Sequence, residues 1–221
     1  MLPAQTVPSS RVPYAGALPV QFIENDASVA AVMGSAVADW ARIPQAIRDE
    51  MCQWWVNAGT LTRFGYRVGR SDWYTQGEGY WPGAEPNRGM YESPIPTDVR
   101  MTSGRVLLAS TRIPDGGSVV HEFGHHIDQA LRVIRGIDSV QLPNSALRFH
   151  APFSTVWQTV SPNIPAALYG ATNILEWIAE QWRCIIYGDS VTLLQLMGGD
   201  TTARDTMRAE WVRLFPSLAS F

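Results

Sequence analysis

The chain has 221 residues, of which 46% are hydrophobic and 17% charged, and its formal net charge at pH 7 is −3. This composition is typical of a globular protein with one continuous core, and it excludes disordered and collagen-like chains. The sequence has no cluster of basic residues for binding nucleic acid and no run of roughly 18 apolar residues for spanning a membrane. Its first residues lack the pattern of a signal peptide, so we expect a cytoplasmic or virion-associated protein, or one exported by another route.

The beginning of the chain differs in pattern from the remainder. Residues 1–26 hold four prolines and few periodic apolar positions, which predicts an extended arm lying on its own surface or on that of a partner in a larger assembly. From Ala27 onwards apolar residues recur at a spacing of three and four, and a second helical pattern follows Pro44. We therefore predict an arm over 1–26 and one folded domain over 27–221.

Short β-prone runs separated by Gly, Pro, Asn and Asp occupy residues 60–114 and predict a small mixed sheet. A glycine-rich loop within this region carries Trp73, Tyr80 and Trp81, which either pack the loop onto the body of the protein or contact a substrate. Four helical patterns follow, near 118–135, 152–160, 172–187 and 201–214. The expected fold class is therefore α+β.

A histidine-rich motif, HEFGHHID, lies in the first of these later helices. His121 and His125 are four residues apart, so they lie one helical turn from each other and can offer two imidazole nitrogens to one cation. Glu122 lies beside that face, where a carboxylate can take a proton from a water molecule that the metal activates. The pattern is that of the HExxH metallopeptidase motif.

Other polar residues near the motif have different expected roles. Asp128 shares the face of His121 and is expected to orient a ligand or, less readily, to bind the metal itself. His126 is expected on the rim of the pocket or in solvent, and His150 is expected to be a structural histidine. The longer HExxH signature with a third histidine is excluded, because position 131 is a leucine.

A catalytic zinc needs a third protein ligand, and the sequence YGATNILEWIAEQWRCII offers two carboxylates four residues apart. Glu176 and Glu180 share one face of a helix that is otherwise rich in apolar residues, where unpaired carboxylates are costly. The alternative is an exposed helix face with unrelated carboxylates. We assign Glu176 to the metal and Glu180 to a hydrogen bond with a zinc-bound histidine.

The two motifs together resemble those of the zinc metallopeptidases of the anthrax lethal factor type, which include the bacterial Pro-Pro endopeptidases. The resemblance implies His121, His125 and Glu176 as ligands of one zinc ion, a set typical of gluzincins, and Glu122 as the general base. It also implies that Tyr169 faces the metal and donates a hydrogen bond to the oxyanion or the leaving group. The motifs cover about twenty residues directly, and the large additional domains of the lethal factor have no counterpart here.

The resemblance implies a zincin-like catalytic domain over 27–221, built from a small mixed sheet, an active-site helix and C-terminal helices. Zincins commonly bind an extended substrate along an edge strand. The run GRVLLAST directly precedes the metal helix, so it is expected to be that edge, with Val106 and Leu107 in contact with the substrate. The aromatic loop over 72–83 is then expected to form a wall of the cleft.

Two functions are expected. The first is a zinc-dependent endopeptidase that hydrolyses a peptide or protein substrate. The second is a structural or assembly protein, for example a component of a phage particle, that keeps a zincin fold with or without protease activity. The proline-rich arm motivates the second function, since such an arm would fray unless something held it.

Overall fold

A computed structural model describes the backbone of residues 21–24, 30–57, 65–69, 90–92, 105–109, 117–134 and 147–221, and the side chains of residues 35, 37–51, 117–128, 131 and 147–221. Seven α-helices lie in these ranges: α1 (Ala30–Arg42), α2 (Gln45–Asn57), α3 (Ser118–Ile134), α4 (Phe153–Val160), α5 (Ile174–Tyr187), α6 (Ser190–Leu196) and α7 (Thr201–Leu214). Short 3₁₀ helices occupy Leu147–Phe149, Ser161–Asn163, Tyr169–Ala171 and Pro216–Ser220. The strands are β1 (Gln21–Glu24), β2 (Gly65–Gly69), β3 (Met90–Glu92) and β4 (Arg105–Ala109).

The strands pair through their backbones in the order β1-β2-β4-β3. The β1, β2 and β4 strands run parallel, and β3 runs antiparallel to β4. Val106 therefore has Tyr66 opposite it on one side and Tyr91 on the other. The prediction that GRVLLAST forms an edge strand is wrong, because pairing on both sides leaves Val106 and Leu107 no open backbone groups for adding a substrate strand.

The predicted α+β fold class is also wrong for the part of the chain whose side chains the structure describes. There, 80% of the residues are helical and none lies in a strand. The β-prone runs weighed heavily in the prediction, but the described core is built from helices. The helices predicted near 118–135, 152–160, 172–187 and 201–214 are confirmed, and α6 is an additional one.

The chain divides into two compact units, one formed by Met1–Ala41 with Arg48–Glu122 and the other by Arg42–Ile47 with Phe123–Phe221. The second unit has a core of fully buried aromatic residues. Trp211 lies at its centre, with ring centroids 5.2 Å from Phe153 and 5.6 Å from Trp182. Burying rings of this size contributes most of the apolar area that stabilises a small helical unit.

Specific capping residues end and begin the C-terminal helices. Gly188 ends α5 in the left-handed conformation, with φ of 67°, which a glycine adopts without strain. Asp189 and Asp200 then cap α6 and α7, accepting backbone N–H groups of their first turns. Trp177 of α5 donates its indole N–H to the carbonyl oxygen of Leu196, at 2.7 Å, which ties α5 to the end of α6.

Of the arm predicted over residues 1–26, only β1 lies within the described residues. In the described part of the chain, no helix is both long enough and apolar enough to cross a membrane.

Candidate metal centre

The helix that carries the HEFGH motif is α3, and its start is fixed by a buried carboxylate. Gly117 precedes the helix in the left-handed conformation, with φ of 81°, and its N–H donates to Oδ2 of Asp39 at 2.8 Å. The first helical hydrogen bond comes directly afterwards, from the N–H of His121 to the carbonyl oxygen of Gly117. The first histidine of the motif therefore lies in a well-anchored first turn.

The three residues of the motif that are expected to do chemistry are mostly withdrawn from solvent. His121 is 7% exposed and Glu122 is 5% exposed. The side chain of His125, one turn further along α3, is 16% exposed. A buried carboxylate beside two imidazoles is in the low-dielectric surroundings where charge interactions are strong.

The second motif forms the start of α5, and Asn173 is its N-cap. The Asn173 side chain accepts hydrogen bonds from the N–H groups of Leu175, at 2.9 Å, and Glu176, at 3.1 Å. This cap fixes the backbone of the first turn, in which a carboxylate is also favoured by the helix dipole. Reasoning from the sequence missed this role, although an asparagine directly before an apolar helical run is an N-cap signal.

The two motifs meet at one point. His121, His125 and Glu176 each offer a ligand atom, and these three atoms all lie within 4.8 Å of one another. The distance from Nε2 of His125 to Oε2 of Glu176 is 3.2 Å. Ligands of a tetrahedral zinc lie roughly 3.3 Å apart, given zinc–ligand lengths of about 2.0–2.2 Å. The donor set and its spacing therefore fit a catalytic zinc, with small adjustments of the side chains.

The two helices that carry these ligands are in very close contact at Gly124. A Cβ atom at this position would lie 2.8 Å from Cα of Ala179 and 3.2 Å from both the Ala179 oxygen and Cδ1 of Trp182. Real Cβ atoms essentially never come within 3.0 Å of another heavy atom in this way. The glycine between Glu122 and His125 is thus required by the packing of α3 on α5.

Tyr169 begins the short 3₁₀ helix that precedes α5 and is 47% exposed. The next residue, Gly170, is buried against α5 and α6. A Cβ atom there would lie 2.5 Å from Cδ2 of Leu196 and 3.4 Å from both Cβ of Glu180 and Cα of Trp177. The turn that carries the tyrosine is therefore pressed onto the helix that carries Glu176, while the phenol ring remains accessible.

The side chain of Glu180 pairs with an arginine. Both of its carboxylate oxygens accept hydrogen bonds from Arg183, with Nε at 3.2 Å and 3.1 Å and Nη2 at 2.9 Å. Arg183 is one turn further along α5, so this pair is local to the helix. The role expected for Glu180, orienting a zinc-bound histidine, stays a prediction.

Asp128 is tied to the segment that follows α3. Its side chain is 1% exposed, its Oδ1 accepts the backbone N–H of Arg148 at 2.9 Å, and its Oδ2 lies 2.8 Å from Nη2 of the same arginine. Burial raises the pKa of Asp128, although the Arg148 charge and hydrogen bond and the His125 charge oppose this. These contacts give Asp128 the task of holding residues 147–149 against α3.

The two remaining histidines have different surroundings. His126 is fully buried, with its ring centroid 5.5 Å from that of Phe123, so the expectation of a rim or solvent position is wrong. Position 126 faces the core because α3 is covered on that side as well. His150 pairs with Glu210 at 3.3 Å, which is the structural role expected for it.

Five residues are expected to contact a substrate. Trp73, Tyr80 and Trp81 lie outside the described residues. Val106 and Leu107 lie on β4, of which the backbone alone is described. No protein-family model matches the sequence, and a search of the curated proteins found no match.

Proposed function

We propose that this protein is a zinc-dependent endopeptidase. One observation carries the proposal: ligand atoms of His121, His125 and Glu176 come together within 4.8 Å, although they belong to two motifs some fifty residues apart. Two histidines and a glutamate are the protein ligands of a catalytic zinc in a large class of peptidases, and they leave a fourth position open.

A zinc ion bound by these residues would supply the Lewis acidity that lowers the pKa of a water molecule to about 7 and polarises the scissile carbonyl group. Glu122 follows His121 on α3 and is almost fully buried, which suits a general base. Its carboxylate takes one proton from the attacking water and then delivers that proton to the nitrogen of the leaving amine. The C–O bond forms first and the carbonyl carbon becomes tetrahedral, and the peptide C–N bond breaks when its nitrogen receives this proton.

Tyr169 is suited to donate a hydrogen bond to the oxygen of the scissile carbonyl group, on which negative charge develops. Its exposure is consistent with contact to a substrate, and the tight packing of Gly170 limits how far the turn that carries it can move. A donor held in place before the reaction stabilises the transition state without reorganising.

The test begins with metal analysis of the purified protein, for which we expect about one zinc per chain. The substrate probe is a degenerate peptide library, with cleavage followed by mass spectrometry. Glu122→Gln should keep the zinc, since it removes no ligand, and should lose at least about 100-fold of the cleavage rate, because a general base contributes this much or more. An inactive His121→Ala variant without zinc is the matched control.

Either of two results would contradict the proposal. One is a wild-type protein without stoichiometric zinc, and the other is cleavage that Glu122→Gln leaves unchanged. Stoichiometric zinc without any cleavage in the library would favour a peptide-binding or assembly role instead.

A further inference from the structure

We propose that Gly124 is a positioning residue for the metal centre. The lack of a side chain at Gly124 lets α3 approach α5 closely enough for His125 and Glu176 to bind one ion. This inference rests on the zinc site of the proposed function, and it concerns a residue that itself touches neither the metal nor a substrate.

The first step is that the surroundings of Gly124 cannot give way. Two of the three nearest atoms, Cα and the carbonyl oxygen of Ala179, belong to the backbone in the middle of α5. The third belongs to Trp182, which is fully buried in the aromatic core against Trp211 and Phe215. A flexible side chain could swing away from an added methyl group, but a helix backbone and a packed indole cannot.

The second step is that this contact lies directly beside the ligand pair. Gly124 immediately precedes His125, and Ala179 is three residues after Glu176, on the same face of α5. Any added separation of the helices at Gly124 therefore acts on the 3.2 Å between Nε2 of His125 and Oε2 of Glu176. Zinc–ligand lengths in protein sites fall within about 0.2 Å of their usual values, so a wider separation of the two ligand atoms weakens binding.

The third step is that helix propensity alone would favour another residue. Glycine inside a helix is less favourable than alanine. If Gly124 had no packing role, its replacement by alanine would stabilise α3 and leave the zinc unaffected. The two explanations thus predict opposite changes in the stability of the zinc-free protein, and only the packing role predicts weaker zinc binding.

The test compares Gly124→Ala with Gly188→Ala in the full chain. Gly188 lies at the C-terminal end of α5 with a positive φ, and an added Cβ there meets no atom within 4 Å. Alanine at 188 is strained by its backbone conformation, yet it leaves the contact between the two helices intact. Zinc affinity is measured by competition with a chelator, and unfolding of the zinc-free protein is followed in urea.

We expect Gly124→Ala to weaken zinc binding by about 10–100-fold, the range found when residues that orient a ligand are changed. We expect Gly188→Ala to lower the urea midpoint and to leave zinc affinity unchanged. The Co²⁺-substituted protein adds a readout of ligand geometry, because its visible absorption spectrum should change in Gly124→Ala alone.

A second variant covers the case in which Gly124→Ala does not fold. Ala179→Ser adds one atom to the fully buried α5 residue whose Cα and carbonyl oxygen lie against Gly124, and its hydroxyl can bond the carbonyl oxygen one turn back. It should weaken zinc binding in the same direction, by a smaller factor. A folded Gly124→Ala or Ala179→Ser that binds zinc as tightly as wild type overturns the inference while the proposed function stands. A wild-type protein without zinc overturns the proposed function itself.

Discussion

Two histidine–glutamate pairs in the second half of the chain have almost the same nitrogen–oxygen distance and very different surroundings. Nε2 of His125 lies 3.2 Å from Glu176, and Nε2 of His150 lies 3.3 Å from Glu210. The distance alone would make both pairs equally good candidates for a metal site or for a simple structural hydrogen bond. Their other neighbours decide between these roles.

The second pair is completed by a cation. Arg213 donates to both oxygens of Glu210, from Nε at 2.7 Å and from Nη2 at 2.6 Å. A guanidinium that grips the carboxylate in this bidentate way leaves no place for a metal ion, whose positive charge it would repel. His150, Glu210 and Arg213 therefore form a structural cluster.

The first pair is completed by a second imidazole, that of His121, within 4.8 Å. A neutral imidazole is a metal ligand, whereas a guanidinium is not. Within the described ranges, no other group of three histidine, cysteine or carboxylate side chains has its ligand atoms this close together. The contact between His125 and Glu176 is thus a candidate metal centre because His121 lies beside it.

The largest expected difference between the two pairs is in zinc binding. His125→Ala removes one of the three proposed ligands, so zinc affinity should fall by more than about 100-fold, the upper end of the loss seen for residues that only orient a ligand. His150→Ala should bind zinc as wild type does. Metal content after dialysis against a weak chelator measures both variants. Equal zinc content in the two variants would remove the distinction between the pairs.

The sequence predicts the local part of this site well. The spacing of His121 and His125 is a property of one helix, and the expectation that Glu176 joins them is consistent with the triad that the structure brings together. Glu176 could be chosen because carboxylates in an apolar helical run require a partner. These expectations depend on the spacing of a few residues within one helix, which can be read from a single sequence.

What the sequence does not predict depends on contacts between distant segments. The partner of Asp128 is Arg148, and His126 is covered on a side that helical periodicity alone leaves open. The fit of Gly124 against Ala179 likewise exists only once two helices cross. The β-prone runs do form β2, β3 and β4. The predicted fold class is wrong because the part of the chain whose side chains the structure describes is built from helices.

A smaller effect separates two helix caps whose side chains each accept two backbone N–H groups. Asn173 caps the helix that carries Glu176, and Asp200 caps α7 through the N–H groups of Thr202 and Ala203. Replacing either cap by alanine should lower the free energy of unfolding by about 1 kcal/mol. Asn173→Ala should also weaken zinc binding, because the N–H of Glu176 loses its acceptor, whereas Asp200→Ala should not.

Urea unfolding of the zinc-free variants and chelator competition measure the two effects separately. If both alanine variants lose stability equally and neither loses zinc affinity, Asn173 serves only to cap α5. The start of α5 would then be no more specialised for binding zinc than the start of α7.

The smallest expected effect is a pH dependence that belongs to the second pair. Burial alone would raise the pKa of Glu210, but the hydrogen bonds and charge of Arg213, with those of His150, outweigh burial and hold this pKa below the ordinary value of 4.5. The folded protein thus binds the Glu210 proton more weakly than the unfolded chain. The stabilisation is present above about pH 5 and is lost as the pH falls through the lowered pKa.

Its size should be about 1 kcal/mol or less, because the Arg213 side chain is 59% exposed and water screens the pair. The measurement is the difference in unfolding free energy between wild type and Glu210→Gln, both free of zinc, at several values between about pH 3 and pH 6. We expect wild type to be the more stable above pH 5 and the difference to shrink towards pH 3. A difference that stays constant with pH would mean that Arg213 does not hold Glu210 in its ionised form. The contrast between Glu210, paired with a cation, and Glu176, the proposed metal ligand, would then lose its electrostatic basis.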